Sequence, residues 1–441
     1  MCLVQFLGRT TAELGGQMRT WGTTVIVASS MLVVLVTGCA KSASSNGVPG
    51  TTITVTFIGG TPLAVATQSG TGAFTVTTPG NQVTFTLLAG ITKYAIAYVC
   101  PPLSVMGTLN SEFVIQATTQ DATSFTASCF GPVSSGTATG GTVSSSFAGT
   151  AKIQIRGGQG LGADISGASG AFPAGTQMPV GSNDVATIAV DGSGNVQGVK
   201  MFRAQTVPGA INGGAGIVLL PPGDAVTTQN LNVTNVPANF VNPPEASVTF
   251  HTANGTRFLV SKTSVSSTNP QPYGAVPTAA TLTTDFYAYE SNTADAATNQ
   301  AVGITATTTS GGGSFSLALP TPWTFAGPAA AKFPTFTFIY SGFTGQPAVA
   351  DQASISWTPT ATTTNEITVL ATANFLGGAT TITIPDLTSL SGFLTAAATG
   401  TTINWVADIF GGTVPEFTFF PNPPANATLQ FVQNRSSFMQ P

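Results

Sequence analysis

Apolar and polar residues alternate along most of the chain. Ile53, Val55 and Phe57 interleave with Thr52, Thr54 and Thr56, so one face is apolar and the other carries hydroxyls. A two-residue period predicts a strand half-buried in a sheet. The same pattern returns at Val83-Thr84-Phe85-Thr86-Leu87, separated from Phe74-Thr75-Val76 by the turn signal Pro79-Gly80-Asn81. Residues 187–190 and 196–199 flank Asp191-Gly192-Ser193-Gly194-Asn195 and predict a hairpin. Further on, Asn254-Gly255 between alternating segments predicts a two-residue hairpin loop, which sets His251 opposite Phe258. Strand patterns continue at 285–289, 315–319, 336–340, 355–357, 367–369, 382–384, 403–406, 417–419 and 429–431. Residues 386–394 are the only stretch that predicts a short helix.

Composition supports the same class. Charged residues make up 6% of the chain, and helix formers such as Glu, Lys and Arg are scarce, whereas Thr, Val, Ile and the 28 Phe favour pleated surfaces. Thr/Ser/Gly-rich tracts of this kind also occur in linkers, but disordered chains lack such a supply of apolar side chains. The expected fold is all-β, a tandem series of β-sandwich units. Residues 51–135 form the first, 136–236 the second and 237–441 a larger region of one or two units. A proline- and asparagine-rich stretch at 237–244 marks the last boundary. The strand starts near Phe57-Ile58-Gly59 and Phe147-Ala148-Gly149 make a diverged repeat of the first two units conceivable.

Cys100 ends a segment in which Tyr94, Ile96 and Tyr98 share its face, and Cys129 shares a face with Phe125 and Ala127. Both thus lie on the large-side-chain parity of their strands and are expected to meet across a sandwich core as a disulfide. Closing a loop of about 30 residues stabilises a fold by roughly 3–4 kcal/mol in the chain-entropy picture. The unit resembles small immunoglobulin-like or transthyretin-like sandwiches in architecture. It lacks a core Trp between the cysteines and has a shorter cysteine spacing than antibody domains.

The N-terminus follows a different pattern. Arg19 precedes a mostly apolar run from Trp21 to Val36, whose core from Val25 is interrupted by Ser29 and Ser30 and is shorter than the roughly 20 residues of a membrane-spanning helix. It closes on Val36-Thr37-Gly38-Cys39, which resembles the lipobox of bacterial lipoprotein precursors. The resemblance implies that residues 1–38 are a cleaved signal peptide, with Met18 a plausible alternative initiator. It further implies that Cys39 receives a diacylglyceryl thioether and that residues 39–50 tether the lipid to the fold. Ala40 after the cysteine implies delivery to the outer membrane in a diderm cell. Lipobox, short tether and several β-sandwich units together resemble bacterial surface lipoproteins. The expected localisation is the cell envelope, with the membrane reached through the lipid and a surface glycan or envelope protein as partner. Stable anchoring needs more than one acyl chain, each buried CH2 contributing about 0.8 kcal/mol.

Chemistry-bearing constellations are few. His251 is the single histidine, so a Ser-His-Asp arrangement has one candidate imidazole and a multi-histidine metal site has none. No catalytic residues, metal or cofactor are expected. Asp285 with Glu290, or Asp408 with Glu416, could form a glycosidase pair if the fold brought them together. Asp191, Ser193 and Asn195 superficially resemble a calcium loop, but position twelve is Phe202 rather than a bidentate Glu. The basic residues are scattered rather than gathered into a stripe, which argues against nucleic acid as a partner. Trp323, Trp357, Trp405, Tyr287, Tyr289 and Tyr340 all lie in the third region. Core filling is the expected role of most of them. Trp323, after Pro320-Thr321-Pro322, is the best candidate for exposure, and with Tyr287 and Tyr289 it makes up a candidate glycan-binding set. The functional expectation is a non-enzymatic, structural or adhesive envelope protein. Carbohydrate binding through these aromatics is the alternative, and an envelope-associated glycoside hydrolase a more distant one. With so few ionisable groups, stability is expected to vary little with pH.

Overall fold

The computed structural model describes residues 50–104, 108–129, 135–158, 160–261, 269–309, 313–343, 345–419 and 423–441. Cys39, the signal segment and nearly all of the tether lie outside them. The fold is nearly all β and layered, as the alternating pattern predicts. The helical exceptions are single turns, chiefly Ala373–Leu376 and Glu416–Phe419. The expected helix over 386–394 is a run of turns instead. There the Asp386 carboxylate accepts from both the backbone N–H and the hydroxyl of Thr388, and Gly392 adopts φ 88°. This local capping competes with helix formation.

One sheet dominates. Thirteen strands join in it, and they come from both ends of the sequence. The strands Ala64–Ser69, Lys93–Val99 and Thr108–Thr118 form its early part. Thr108–Thr118 then pairs in parallel with Thr363–Thr372, from Thr108 opposite Thr363 to Gln116 opposite Ala371. From there the sheet continues through Ala348–Thr360, Thr402–Gly412, Thr428–Met439, Gln300–Thr308 and Phe286–Asp295. The first and third regions are therefore not separate sandwiches. The strand Thr227–Thr234 also crosses its expected boundary, since it pairs with Gln271–Ala275 and Phe315–Ala318. Sequence periodicity reports which residues share a face, whereas strand partners hundreds of residues apart leave no local signal.

Alternation on the large sheet feeds two cores. Ala97, Val99, Val114, Ile367, Val369, Trp405 and Ile409 point to one side, where Trp323, Phe336, Phe338, Ile382 and Ile384 cover them. Tyr94, Ile96, Tyr98, Ile115, Leu370 and Phe410 point to the other. That second core is closed by a three-stranded sheet of Thr52–Ile58, Gln82–Thr86 and Ser124–Ser128, with Phe417 and Phe419 packed alongside. A strand buried on both faces reads as a continuous apolar run, which is why Tyr94 to Val99 contains almost no polar residue. The second region has its own core of Ile153, Ile155, Met178, Val185, Ala189 and neighbours.

Candidate functional site

Cys100 and Cys129 form a disulfide with their Cα atoms 5.1 Å apart. Cys100 follows a strand of the large sheet and Cys129 follows Ser124–Ser128 of the covering sheet. The bond therefore crosses the sandwich core, as strand parity predicts.

The candidate glycan-binding aromatics are interior residues. Tyr287 is 2%, Tyr289 0% and Trp323 5% exposed. The Tyr289 hydroxyl pairs with that of Tyr273 at 3.0 Å, and the Tyr287 hydroxyl accepts from the backbone N–H of Val276. Trp323 stacks on Phe325 and Phe338 and donates its indole N–H to the carbonyl of Ile339 at 3.0 Å. The expected exposure of Trp323 is thus overturned: its flanking prolines shape a segment folded back over the large sheet, and Ile339 supplies the partner a buried indole needs. Trp357 and Trp405 are buried as parity predicts.

The two carboxylate pairs have different fates. Asp285 precedes its strand and is buried against Arg203, whereas Glu290 lies within that strand opposite Ser247. The fold does not join them. Asp408 and Glu416 do come within electrostatic reach. Asp408 is fully buried and flanked across the sheet by Gln352 and Gln433, whose amides donate to its two oxygens at 3.1 and 2.8 Å. Burial pushes its pKa up to about 7, and the nearby Glu416 adds to the rise. Glu416 is itself pushed up to about 7 by burial. A glycosidase needs environments that separate the two pKa values; here both move the same way. Burial likewise pushes Glu112, Asp351 and Glu366 up to about 7.

A third carboxylate cluster was not legible in the sequence. Opposite Asp184 the partner strand carries two residues, Arg203 and Ala204, because the register shifts between Asn183 and Val185. Ala204 takes φ 50° at this bulge and donates its N–H to Asp184 at 2.9 Å. Bulges re-aim side chains, and this one turns Arg203 onto Asp184 at 2.8 Å and onto Asp285 at 2.6 Å. Asn254 also donates to Asp184. Burial would raise the pKa of Asp184, but the Ala204 N–H, the Asn254 amide and the Arg203 guanidinium together hold it below the ordinary carboxylate range. The cluster ties the second region to the third.

Asn254 has this role because its loop differs from expectation. His251 faces Arg257, Phe250 faces Phe258 and the Thr252 N–H donates to the Thr256 carbonyl, which leaves a three-residue loop, 253–255, with Gly255 at φ 76°. A three-residue hairpin with a left-handed glycine is the common alternative to the two-residue turn. His251 stacks on Phe286 and meets the Thr249 hydroxyl at 3.2 Å. Burial, with Arg257 nearby, pushes its pKa down to about 3, so the imidazole stays neutral.

The Asp191 loop is a hairpin turn. Both carboxylate oxygens of Asp191 are engaged by the N–H groups of Ser193 and Asn195 and by the Asn195 amide. Donors therefore occupy the positions where a cation would need acceptors. Among the described residues no cluster of His, Cys, Asp and Glu could hold a metal ion.

Beside this turn lies a cleft of about 400 Å3. One wall is the second-region hairpin, with Asp191, Asn195, Val196 and Gln197; the other is Thr228, Pro272 and Gly274. Its floor reaches Val260 and Tyr273, which are 0% and 3% exposed. The walls are joined by backbone bonds from Val226 N–H to Gln197 and from Val199 N–H to Asp224. Gly274 permits the close approach: a Cβ there would lie 2.7 Å from the Val226 side chain.

No family model and no curated protein sequence matches the chain.

Proposed function

We propose that this chain is a lipid-anchored cell-envelope protein with a structural or adhesive role and no catalytic activity. The Cys100–Cys129 disulfide carries the reading, because such bonds persist in oxidising, exported compartments and the Val36-Thr37-Gly38-Cys39 motif supplies the matching address. The lipid on Cys39 holds the chain at the membrane, and the folded part extends from it to contact surface glycans or neighbouring envelope proteins. The large sheet shared between early and late strands supports a load-carrying body rather than a string of hinged modules. Glycan binding through Trp323, Tyr287 and Tyr289 loses its support because the three rings are packed inside. The hydrolase reading is weakened by the complete burial of Asp408.

The test is expression in a diderm bacterium with a labelled fatty acid. The wild-type chain should carry label and fractionate with membranes, while Cys39→Ser should be unlabelled and retain its signal segment. Labelling that survives Cys39→Ser would overturn the anchoring.

A further inference from the structure

We infer that the cleft between the 181–207 hairpin and strand Gln271–Ala275 is a binding site for a small uncharged saccharide. This goes beyond the anchoring reading and stands without it. At about 400 Å3 the cleft lies at the small end of ligand sites, which span about 300–1,000 Å3, and has room for one or two pyranose rings. Its position where two regions of the fold meet is also typical of ligand sites.

Chemistry narrows the class. The lining sets Val196, Val226 and the buried Val260 among Asp191, Asn195, Gln197 and Thr228, with Asn195, Thr228 and Pro272 exposed. Apolar and polar side chains side by side suit a molecule with C–H faces and hydroxyl edges. Among the described residues no Lys or Arg lines the cleft, and three bonds from its own turn and the Asn195 amide hold the pKa of Asp191 down despite its slight burial. The negative charge of Asp191 at the cleft disfavours an anionic ligand. A cation would have to compete with the donors already engaging both Asp191 oxygens. What remains is a neutral polyol, whose hydroxyls can donate to Asp191 Oδ2, which accepts only the Asn195 amide, and exchange bonds with the Thr228 hydroxyl. The site is also held in shape, since the turn is fixed by Asp191 and the walls are locked by the Val226–Gln197 and Val199–Asp224 backbone bonds. Preorganisation of this kind lowers the ordering cost of binding.

The experiment uses the chain from residue 40 onward, which contains every described residue. Titration calorimetry and ligand-observed NMR would be run with glucose, N-acetylglucosamine, cellobiose, maltose and diacetylchitobiose at millimolar concentration. Binding of at least one is expected. Thr228→Tyr, at an exposed strand position, fills the mouth and should weaken that affinity by at least about tenfold with an unchanged melting temperature. Thr228→Val keeps the volume, removes only the hydroxyl and should weaken it several-fold, which keeps the test valid should the tyrosine variant not fold. Absence of binding by every sugar, or binding unaltered in a folded Thr228 variant, would overturn the site. Neither result bears on lipidation at Cys39.

Discussion

The guanidinium of Arg203 lies 2.6 Å from the carboxylate of Asp285, joining a bulged hairpin of the second region to the start of a strand in the large sheet. The same guanidinium serves Asp184, and both carboxylate side chains are 1% exposed. Removing the cation leaves two buried carboxylates facing each other. Arg203→Ala should therefore cost about 3–5 kcal/mol in urea denaturation. Arg203→Lys retains the charge but not the planar fork and should recover only part of that loss.

A pH titration of stability should separate two kinds of carboxyl group. Glu112, Asp351, Glu366, Asp408 and Glu416 have pKa values pushed up to about 7 by burial. A carboxyl whose folded pKa lies above its unfolded value favours the fold most while protonated. That contribution is complete below about pH 4 and is lost as pH rises towards 7. Asp184 has the opposite sign, its contribution being present above the ordinary carboxylate range and lost only on strong acidification. Melting temperatures should thus fall between pH 4 and pH 8. This differs from the weak dependence that the low charge content suggests, because what matters is where the few charges are placed. A flat profile would refute these shifts.

Glu366→Gln provides the local version of that test. Glu366 is 4% exposed, and one of its oxygens is buried without a hydrogen-bond partner. The amide cannot ionise, so the variant should be more stable than wild type at pH 8 by up to about 3 kcal/mol. The difference should vanish near pH 4.

Gly303 faces Phe431 across adjacent strands, and a Cβ at Gly303 would lie 2.2 Å from the phenyl ring. Gly303→Ala must displace that ring from a packed sheet and should destabilise the fold by about 1–3 kcal/mol, read as a lower urea midpoint. Gly149, with no atom within 4 Å of its Cβ position, offers a control for overpacking, although its φ of 75° makes an alanine there strained in its own way.

Cys100→Ser with Cys129→Ser should lower stability by roughly 3–4 kcal/mol, and a reductant should have a matching effect on the wild-type chain only.

How far the sequence could be read depended on the range of the interaction. Strand faces, the Cys100–Cys129 meeting and the burial of Trp357 and Trp405 follow from a two-residue period, which is local. Trp323 is buried against expectation because Pro320 and Pro322 mark an irregular segment, and an irregular segment can still fold back over a core. Its carbonyl partner Ile339 lies in the alternating stretch 336–340, and alternation does not say which distant segment such a stretch meets. The Arg203 cluster was invisible for a related reason. A bulge at Ala204 carries no residue signature, and Asn254, which bonds to Asp184, looked like an ordinary turn residue. Asp408 and Glu416 come within electrostatic reach, but neither that approach nor their shared burial can be inferred from spacing.

The parallel pairing of Thr108–Thr118 with Thr363–Thr372 also sets an order of events during synthesis. Until the later strand emerges, the earlier one presents an open edge of unpaired amides and carbonyls, the kind of edge at which chains associate wrongly. The intervening segment can build its own core meanwhile, but it cannot close that edge. The early strands therefore gain this partner only once the chain past residue 363 has emerged, and a truncation before it would leave a sticky fragment rather than a smaller working protein.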